Sequence, residues 1–246
     1  MLQVCFEWWA FEIIAIMAGL LPSAVVAIGA NSLLLNISSM GSMIYLGISI
    51  SGNVRVGNAL GANDVKRARV AATTSIGMAA GAAIVTASFL ILFRSRLPLL
   101  FTHDDDINAL TEKLLVVAAL FQLPDAINGA VMGILRGSGR QTLGAKMNFV
   151  AYYLLGVPLG CVLAFRLHWG VEGLWYGMTL GLISIASLGS FLVKKSDWKQ
   201  LAMNAKERMD ERGHDRVQDE AASLARRTSF GYSSSPVCSL RCHAEF

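Results

Sequence analysis

Three acidic residues occur inside stretches of this sequence that are otherwise apolar. Glu7 and Glu12 lie in the segment CFEWWAFE, and Asp125 directly follows Pro124. A charged side chain at the centre of a membrane-spanning helix costs roughly 2.5–3.5 kcal/mol, so a proton or a cation readily neutralises such an acid. An acid of this kind can bind a cation when ionised and release it when a proton arrives. We therefore predict a proton- and substrate-binding site formed by Glu7, Glu12 and Asp125.

The position of each acid in its predicted helix decides how strong this interpretation is. Glu7 lies only a few residues into its span beside Trp8 and Trp9, so an anchoring role at the membrane interface is an equal alternative. Glu12 lies a full turn deeper and about 140° around the helix from Glu7. A proline inside a span bends the helix, and transporters commonly build their sites beside helix breaks. A functional role is therefore favoured for Asp125.

Uncharged polar side chains also occur within the predicted apolar spans. Four of them are candidates for supporting the site: Asn36, Tyr45, Asn128 and Tyr152. Because polar side chains in lipid also hydrogen-bond between helices, this structural role is the favoured interpretation for the asparagines. Arg55 and Arg136 each close a span, and we expect both to anchor at the membrane interface.

The composition indicates that membrane helices position these residues. The chain is 54% hydrophobic and only 15% charged, whereas a soluble domain is about 25% charged. No Asp, Glu, Lys or Arg occurs at 33–54 or 70–93, and charge-free runs of this length are typical of spanning helices. We predict an all-α membrane protein, a six-transmembrane-helix bundle over residues 1–195. Its spans are expected at about 4–21, 33–54, 70–93, 114–135, 144–165 and 171–193.

Small residues recur at the spacing that brings helices into contact. They are Gly129, Gly133 and Gly137; Gly156 and Gly160; and Gly173, Gly177 and Gly181. In lipid, ridges of this kind let two helix backbones approach closely. They predict a tightly packed bundle and carry no information about a substrate.

Lysine and arginine are concentrated in the loops at 55–69 and 136–146 and after residue 193. By the positive-inside rule, both termini are expected in the cytoplasm. We predict a cytoplasmic tail over residues 196–246, with a charged amphipathic helix at about 196–212 and a disordered Ser-rich stretch at 228–236.

Enzyme and cofactor chemistry find little support in the sequence. There is no glycine-rich phosphate loop and no plausible nucleophile with a histidine partner, so we do not expect an enzyme. Cys238, Cys242 and His243 supply three metal ligands at most, and a disordered tail is the favoured interpretation over a metal site, with palmitoylation a weaker alternative. No cofactor is expected.

Four motifs carry a resemblance to a known family. They are CFEWWAFE (5–12), VRVGNALGANDVKRAR (54–69), GILRGSGRQTLGAKMN (133–148) and YYLLGVPLG (152–160). They resemble the seventh span, the loop after the eighth span, the loop after the tenth span and the eleventh span of the eukaryotic branch of the multidrug and toxic compound extrusion (MATE) family. The resemblance covers residues 5–198, which correspond to the second half of a family member.

The resemblance implies a secondary active antiporter that exports organic cations, drugs or xenobiotics, coupled mainly to protons. Glu7 and Glu12 stand at the two acidic positions of the seventh span and Asp125 at that of the tenth. Asn36 stands where some animal members have glutamate. An integral protein of the plasma membrane or the vacuolar membrane is expected.

The family fold has two lobes of six helices with the substrate cavity between them. Only the second lobe is represented here, so we expect a truncated C-lobe that needs a missing N-terminal lobe or a second half-transporter. Two alternatives stay open: a non-transporting or partner-dependent half-transporter, and a lipid-linked flippase of the same superfamily. The flippase would favour a cationic cavity, whereas the charges within these spans are acidic.

Overall fold

The computed structural model describes residues 2–209 and 223, and within them it contains helices and no strand. Six long helices account for most of these residues: α1 (Leu2–Ala18), α2 (Ala24–Gly61), α3 (Val65–Phe93), α4 (Asp105–Gly137), α5 (Gln141–Arg166) and α6 (Gly170–Lys195). A short 3-10 turn, Pro98–Leu100, lies between α3 and α4. The prediction of an all-α membrane protein is confirmed.

Five of the six helices, α2 to α6, are long and apolar enough to cross a membrane. Helix α1 has 17 residues, which at 1.5 Å per residue gives about 26 Å, slightly less than the roughly 30 Å hydrocarbon core. Large apolar side chains such as Val25, Leu92 and Phe191 are exposed on the outer faces of the bundle. That arrangement suits a surface in contact with lipid.

Helix α2 extends beyond the predicted span at both ends. Residues 23–32 were expected in a loop, but α2 begins at Ala24, where Ala27, Ala30 and Leu34 form a buried stripe at helical spacing. The helix then continues past residue 54 to Gly61, so its 38 residues measure about 57 Å. The predicted span was only about as long as the hydrocarbon core is thick. The helix continues beyond that length because its hydrogen bonds form within its own backbone and do not depend on the lipid.

Aspartate caps shorten the two longest predicted loops. The Asp64 side chain accepts a hydrogen bond of 2.9 Å from the Arg67 backbone N–H at the start of α3. Asp104 accepts one of 3.1 Å from the Ile107 N–H, so α4 begins nine residues before the predicted start at 114. Aspartate is a favoured N-cap because its oxygen satisfies a free N–H of the first turn.

Helix α4 is the centre of the bundle and packs against α2, α3, α5 and α6. Its closest approach is to α2, where Gly133 meets the Ser49 backbone. A Cβ at Gly133 would lie 2.2 Å from the Ser49 carbonyl oxygen. The predicted role of the glycine ridge in helix packing is confirmed at this crossing.

Helices α5 and α6 form a second close pair. A Cβ at Gly177 would lie 2.2 Å from the Gly160 nitrogen. Helix α5 is π-helical over Val150–Gly156 and Val162–Arg166, on either side of the α-helical Val157–Cys161 that contains Pro158. Because proline donates no backbone hydrogen bond, the regular pattern is interrupted in this stretch, and the wider turns change which side chains face α4 and α6.

An aromatic cluster joins the N-terminal helix to the core. The Phe11 ring of α1 lies 6.2 Å from that of Phe121 on α4 and 6.0 Å from that of Trp175 on α6, between ring centroids. The Trp175 indole N–H donates a hydrogen bond of 2.9 Å to Asn31 Oδ1 on α2. One buried tryptophan therefore links four helices.

The first part of the tail is helical at residues 198–209. Trp198 and Ala202 are buried, and Arg208 Nη2 donates a 3.4 Å hydrogen bond to the Ser138 carbonyl at the end of α4. A helix was predicted at 196–212, and the part of it up to residue 209 is described. The Ser-rich stretch at 228–236 and the group Cys238, Cys242 and His243 lie outside the described residues.

Candidate functional site

Two of the three predicted acids are partly buried and within electrostatic range of each other. Glu7 on α1 and Asp125 on α4 are both half-buried, and their side chains are near enough to interact electrostatically. Pro124, immediately before Asp125, is buried within α4. Glu7 of α1 and Asp125 of α4 are therefore candidates for one site.

Glu12 does not join this pair. It lies on an exposed face of α1, while Ala10 and Ile14 on either side of it in sequence are buried against the bundle. This agrees with the expected angle of about 140° between Glu7 and Glu12. The role of Glu12 in binding stays a prediction.

Two buried tyrosines from different helices accompany the acid pair. Tyr45 on α2 and Tyr152 on α5 are 3% and 1% exposed. Tyr45 lies within electrostatic range of Asp125, and Tyr152 within range of both Glu7 and Asp125. Residues of four helices therefore make up the candidate site, and the supporting roles of Tyr45 and Tyr152 stay predictions.

Gln122 and Thr86 hold Tyr45 in place, and sequence reasoning missed both. The Tyr45 hydroxyl donates a 2.6 Å hydrogen bond to Gln122 Oε1 and shares another with the Thr86 hydroxyl on α3. Gln122, Asp125 and Asn128 are spaced i, i+3, i+6, so they form a polar stripe on one face of α4. Gln122 could have been predicted from this spacing.

Two asparagines meet between α4 and α5, beside the acids. Asn128 Nδ2 donates a long 3.5 Å hydrogen bond to Asn148 Oδ1. Both side chains are almost fully buried, at 2% and 0% exposed. Asn128 was a predicted supporting residue, whereas Asn148 was missed. Asn36, by contrast, lies on an exposed face of α2 and donates to the Ser32 carbonyl of its own helix at 3.0 Å.

Arg136 forms hydrogen bonds to α2 and α4, and its expected role as an interfacial anchor stays a prediction. Its Nε donates to the Met132 carbonyl at 3.3 Å and its Nη2 to Ser49 Oγ on α2 at 2.9 Å. Ser49 in turn donates to the Gly129 carbonyl at 2.6 Å. The guanidinium is thus folded back along α4 and lies within electrostatic range of Glu7. Hydrogen-bond acceptors on α2 and α4 hold it there.

The position of Glu7 is fixed by contacts to α5. The Tyr153 hydroxyl donates a 3.2 Å hydrogen bond to the Phe6 carbonyl, one residue before Glu7. The Phe6 ring also lies 5.5 Å from the Phe149 ring, edge to face. These contacts connect the first acid to the helix that carries Tyr152 and Asn148.

The candidate site contains two carboxylates together with phenols and amides. No group of three His, Cys, Asp or Glu side chains suited to a metal ion occurs within residues 2–209.

The chain is similar in sequence to a family of known proteins. The MatE family model matches residues 1–162. "Multidrug and toxin extrusion protein 2" of Homo sapiens is 32% identical over 256 residues, covering 100% of this chain and 42% of that protein. An uncharacterized transporter of Schizosaccharomyces pombe is 34% identical over 210 residues, covering 85% of this chain and 39% of that protein.

A solved structure shares the fold. The crystal structure of the eukaryotic MATE transporter AtDTX14 matches with a TM-score of 0.80 and 32% identity, covering 84% of this chain and 46% of that one. The chain therefore spans less than half the length of these similar proteins.

Proposed function

We propose a transport function for this chain because it belongs to the MatE family. We infer that it forms one lobe of a secondary active antiporter that exports organic cations in exchange for protons. The observation that carries the proposal is the pairing of Glu7 and Asp125 inside a membrane bundle.

The electrostatics of this pair support competition between a cation and a proton. Two carboxylates in a poorly solvated site repel each other when both are ionised. A bound cation or a bound proton relieves that repulsion, so binding of one disfavours the other. That competition is what an exchanger requires, because the loaded forms can carry either species but not both.

The side chains around the pair suit an organic cation. Tyr45 and Tyr152 supply aromatic rings that are 3% and 1% exposed, so we propose that the surrounding helices move before a cation reaches such a face, where it gains about 0.5–2 kcal/mol. Exchange of one proton for one monovalent cation moves no net charge. A difference of one pH unit, about 1.4 kcal/mol, then supports about a tenfold cation gradient.

A second lobe belongs to the proposal. We propose that the exposed face of α1, which carries Glu12, contributes to a cavity shared with an N-terminal lobe or a second half-transporter. The lysine and arginine distribution supports cytoplasmic termini, and we propose the plasma membrane or the vacuolar membrane as the location.

Proton release on cation binding tests the function of the lobe directly. The purified chain in lipid nanodiscs and weakly buffered solution would receive tetraethylammonium, while a pH-sensitive dye records protons. We expect binding to release protons, and Glu7→Gln or Asp125→Asn to abolish most of the release. The matched control is Glu112→Gln, a partly exposed acid paired with Arg94 at 3.5 Å. Tetraethylammonium binding without proton release, or no binding by the folded chain, would refute the proposal.

Transport itself is tested in proteoliposomes with an acidic interior. We expect the chain alone to bind the cation and release protons but to accumulate no tetraethylammonium. Uptake that appears when a family N-terminal lobe is co-reconstituted would support dependence on a second lobe. Uptake by the chain alone would refute that part of the proposal.

A further inference from the structure

A group of polar atoms between α4 and α5 has no partner within the described part of the chain. The atoms are Asn128 Oδ1, Asn148 Nδ2 and the Tyr152 hydroxyl. Their side chains are 2%, 0% and 1% exposed. Leaving a buried polar atom unpaired costs roughly 1–3 kcal/mol, so three of them in one location indicate a ligand that satisfies them.

Sequence spacing and one hydrogen bond relate the three residues to one another and to Asp125. Asn148 and Tyr152 are four residues apart on α5, and Asn128 is three residues after Asp125 on α4. The Asn128–Asn148 hydrogen bond joins the two helices at this level, and Tyr152 lies within electrostatic range of Asp125. Tyr152 also belongs to the π-helical stretch of α5, a feature often found at functional sites.

The donor and acceptor pattern decides the class of ligand. One asparagine uses its amino group and the other its carbonyl in their shared hydrogen bond, so one carbonyl and one amino group are left whichever way the amides are turned. An amino group donates hydrogen bonds and cannot ligate a metal cation. A water molecule both donates and accepts, and buried waters typically make about three hydrogen bonds.

We propose that Asn128, Asn148 and Tyr152 hold a bound water molecule that serves Asp125 as its proton donor and acceptor. The inference rests on the proposed function, which it deepens by naming water rather than a sodium ion as the occupant. When Asp125 takes up a proton, the water donates one to a carboxylate oxygen and receives one from solvent. When Asp125 releases its proton, the water accepts it and passes one proton to solvent, so the water is unchanged.

Radiolytic hydroxyl-radical labelling tests for this water without requiring transport. The wild-type chain in nanodiscs would be mixed with ¹⁸O water and exposed to millisecond X-ray pulses, and labelled tyrosines identified by mass spectrometry. We expect Tyr152 to be labelled about fivefold more than Tyr45, because radicals form from water held beside a buried side chain. Tyr45 is the matched control, since it is equally buried but hydrogen-bonded to Gln122.

Two further arms distinguish a bound water from a sodium ion and from a dry cavity. Asn148→Leu should reduce Tyr152 labelling at least about threefold by filling the water site, whereas Asn58→Leu, at an exposed position of α2, should leave it unchanged. Replacing potassium chloride with sodium chloride should have no effect on the label. An unlabelled Tyr152 in the wild type, labelling that survives Asn148→Leu, or labelling suppressed by sodium would overturn the proposal. Because the readout is independent of tetraethylammonium, it can succeed where the proton-release experiment fails.

Discussion

The Tyr45 hydroxyl on α2 donates a hydrogen bond of 2.6 Å to Gln122 Oε1 on α4, one helical turn before Asp125. Both side chains are buried, at 3% and 2% exposed. The contact therefore fixes the orientation of the Tyr45 phenol and joins α2 and α4, two helices whose backbones approach closely at Gly133.

Removing this hydroxyl should destabilise the fold. Tyr45→Phe leaves the Gln122 carbonyl without its phenolic donor in a buried location, at an expected cost of roughly 1–3 kcal/mol. Thermal unfolding in detergent would show a lower Tm for this variant. Tyr176→Phe is the control, because the Tyr176 ring packs against Trp169 at the far end of α6; an equal loss in both variants would contradict the assignment.

Glycine substitutions test the crossing of α2 and α4. Gly133→Ala would put a Cβ 2.2 Å from the Ser49 carbonyl, so the helices must separate, at an expected cost of about 1–3 kcal/mol. Gly129→Ala, one turn earlier on the same helix, meets no atom within 4 Å and should have little effect. The comparison requires thermal unfolding of both variants, and equal stability would mean that the backbones are not in contact there.

Arg136 should weaken cation binding at the acid pair. Its guanidinium lies within electrostatic range of Glu7, so Arg136→Gln removes a positive charge that repels an incoming cation. We expect tetraethylammonium to bind about fivefold more tightly, which corresponds to roughly 1 kcal/mol. Binding would be measured by scintillation proximity in nanodiscs.

The control for the guanidinium is Arg140→Gln. Arg140 lies at the turn after α4 and donates a 3.1 Å hydrogen bond to Ser196 Oγ. Ser49→Ala, which removes the acceptor of the Arg136 Nη2 hydrogen bond, should give a smaller gain in affinity. Weaker binding by Arg136→Gln would indicate that the arginine organises the site instead of opposing the ligand.

The two acids should act as one unit in ligand binding. We expect Glu7→Gln and Asp125→Asn each to lower tetraethylammonium affinity about tenfold or more, and the double variant to lose less than the sum of the two free energies. A double-mutant cycle on binding constants measures this coupling. Strict additivity would mean that Glu7 and Asp125 bind separately.

The sequence by itself determined the membrane class, the helical fold and the unusual acids. Long charge-free runs, small residues at spacings of four and acids within apolar segments are local patterns, and each follows from the hydrophobic core of a bilayer or from the helical period. Helix ends were predicted less well, since Ala24 and Asp105 start helices outside the apolar runs.

The tertiary structure decided which of these residues meet. It paired Glu7 with Asp125 and left Glu12 on an exposed face, it added Asn148 to the site, and it turned Arg136 inward toward Ser49. Only the separation of Glu12 from Glu7 follows from spacing along one helix; the other relationships do not. They depend on how helices rotate and cross, which is set by close contacts between residues far apart in the chain, such as Gly133 against Ser49.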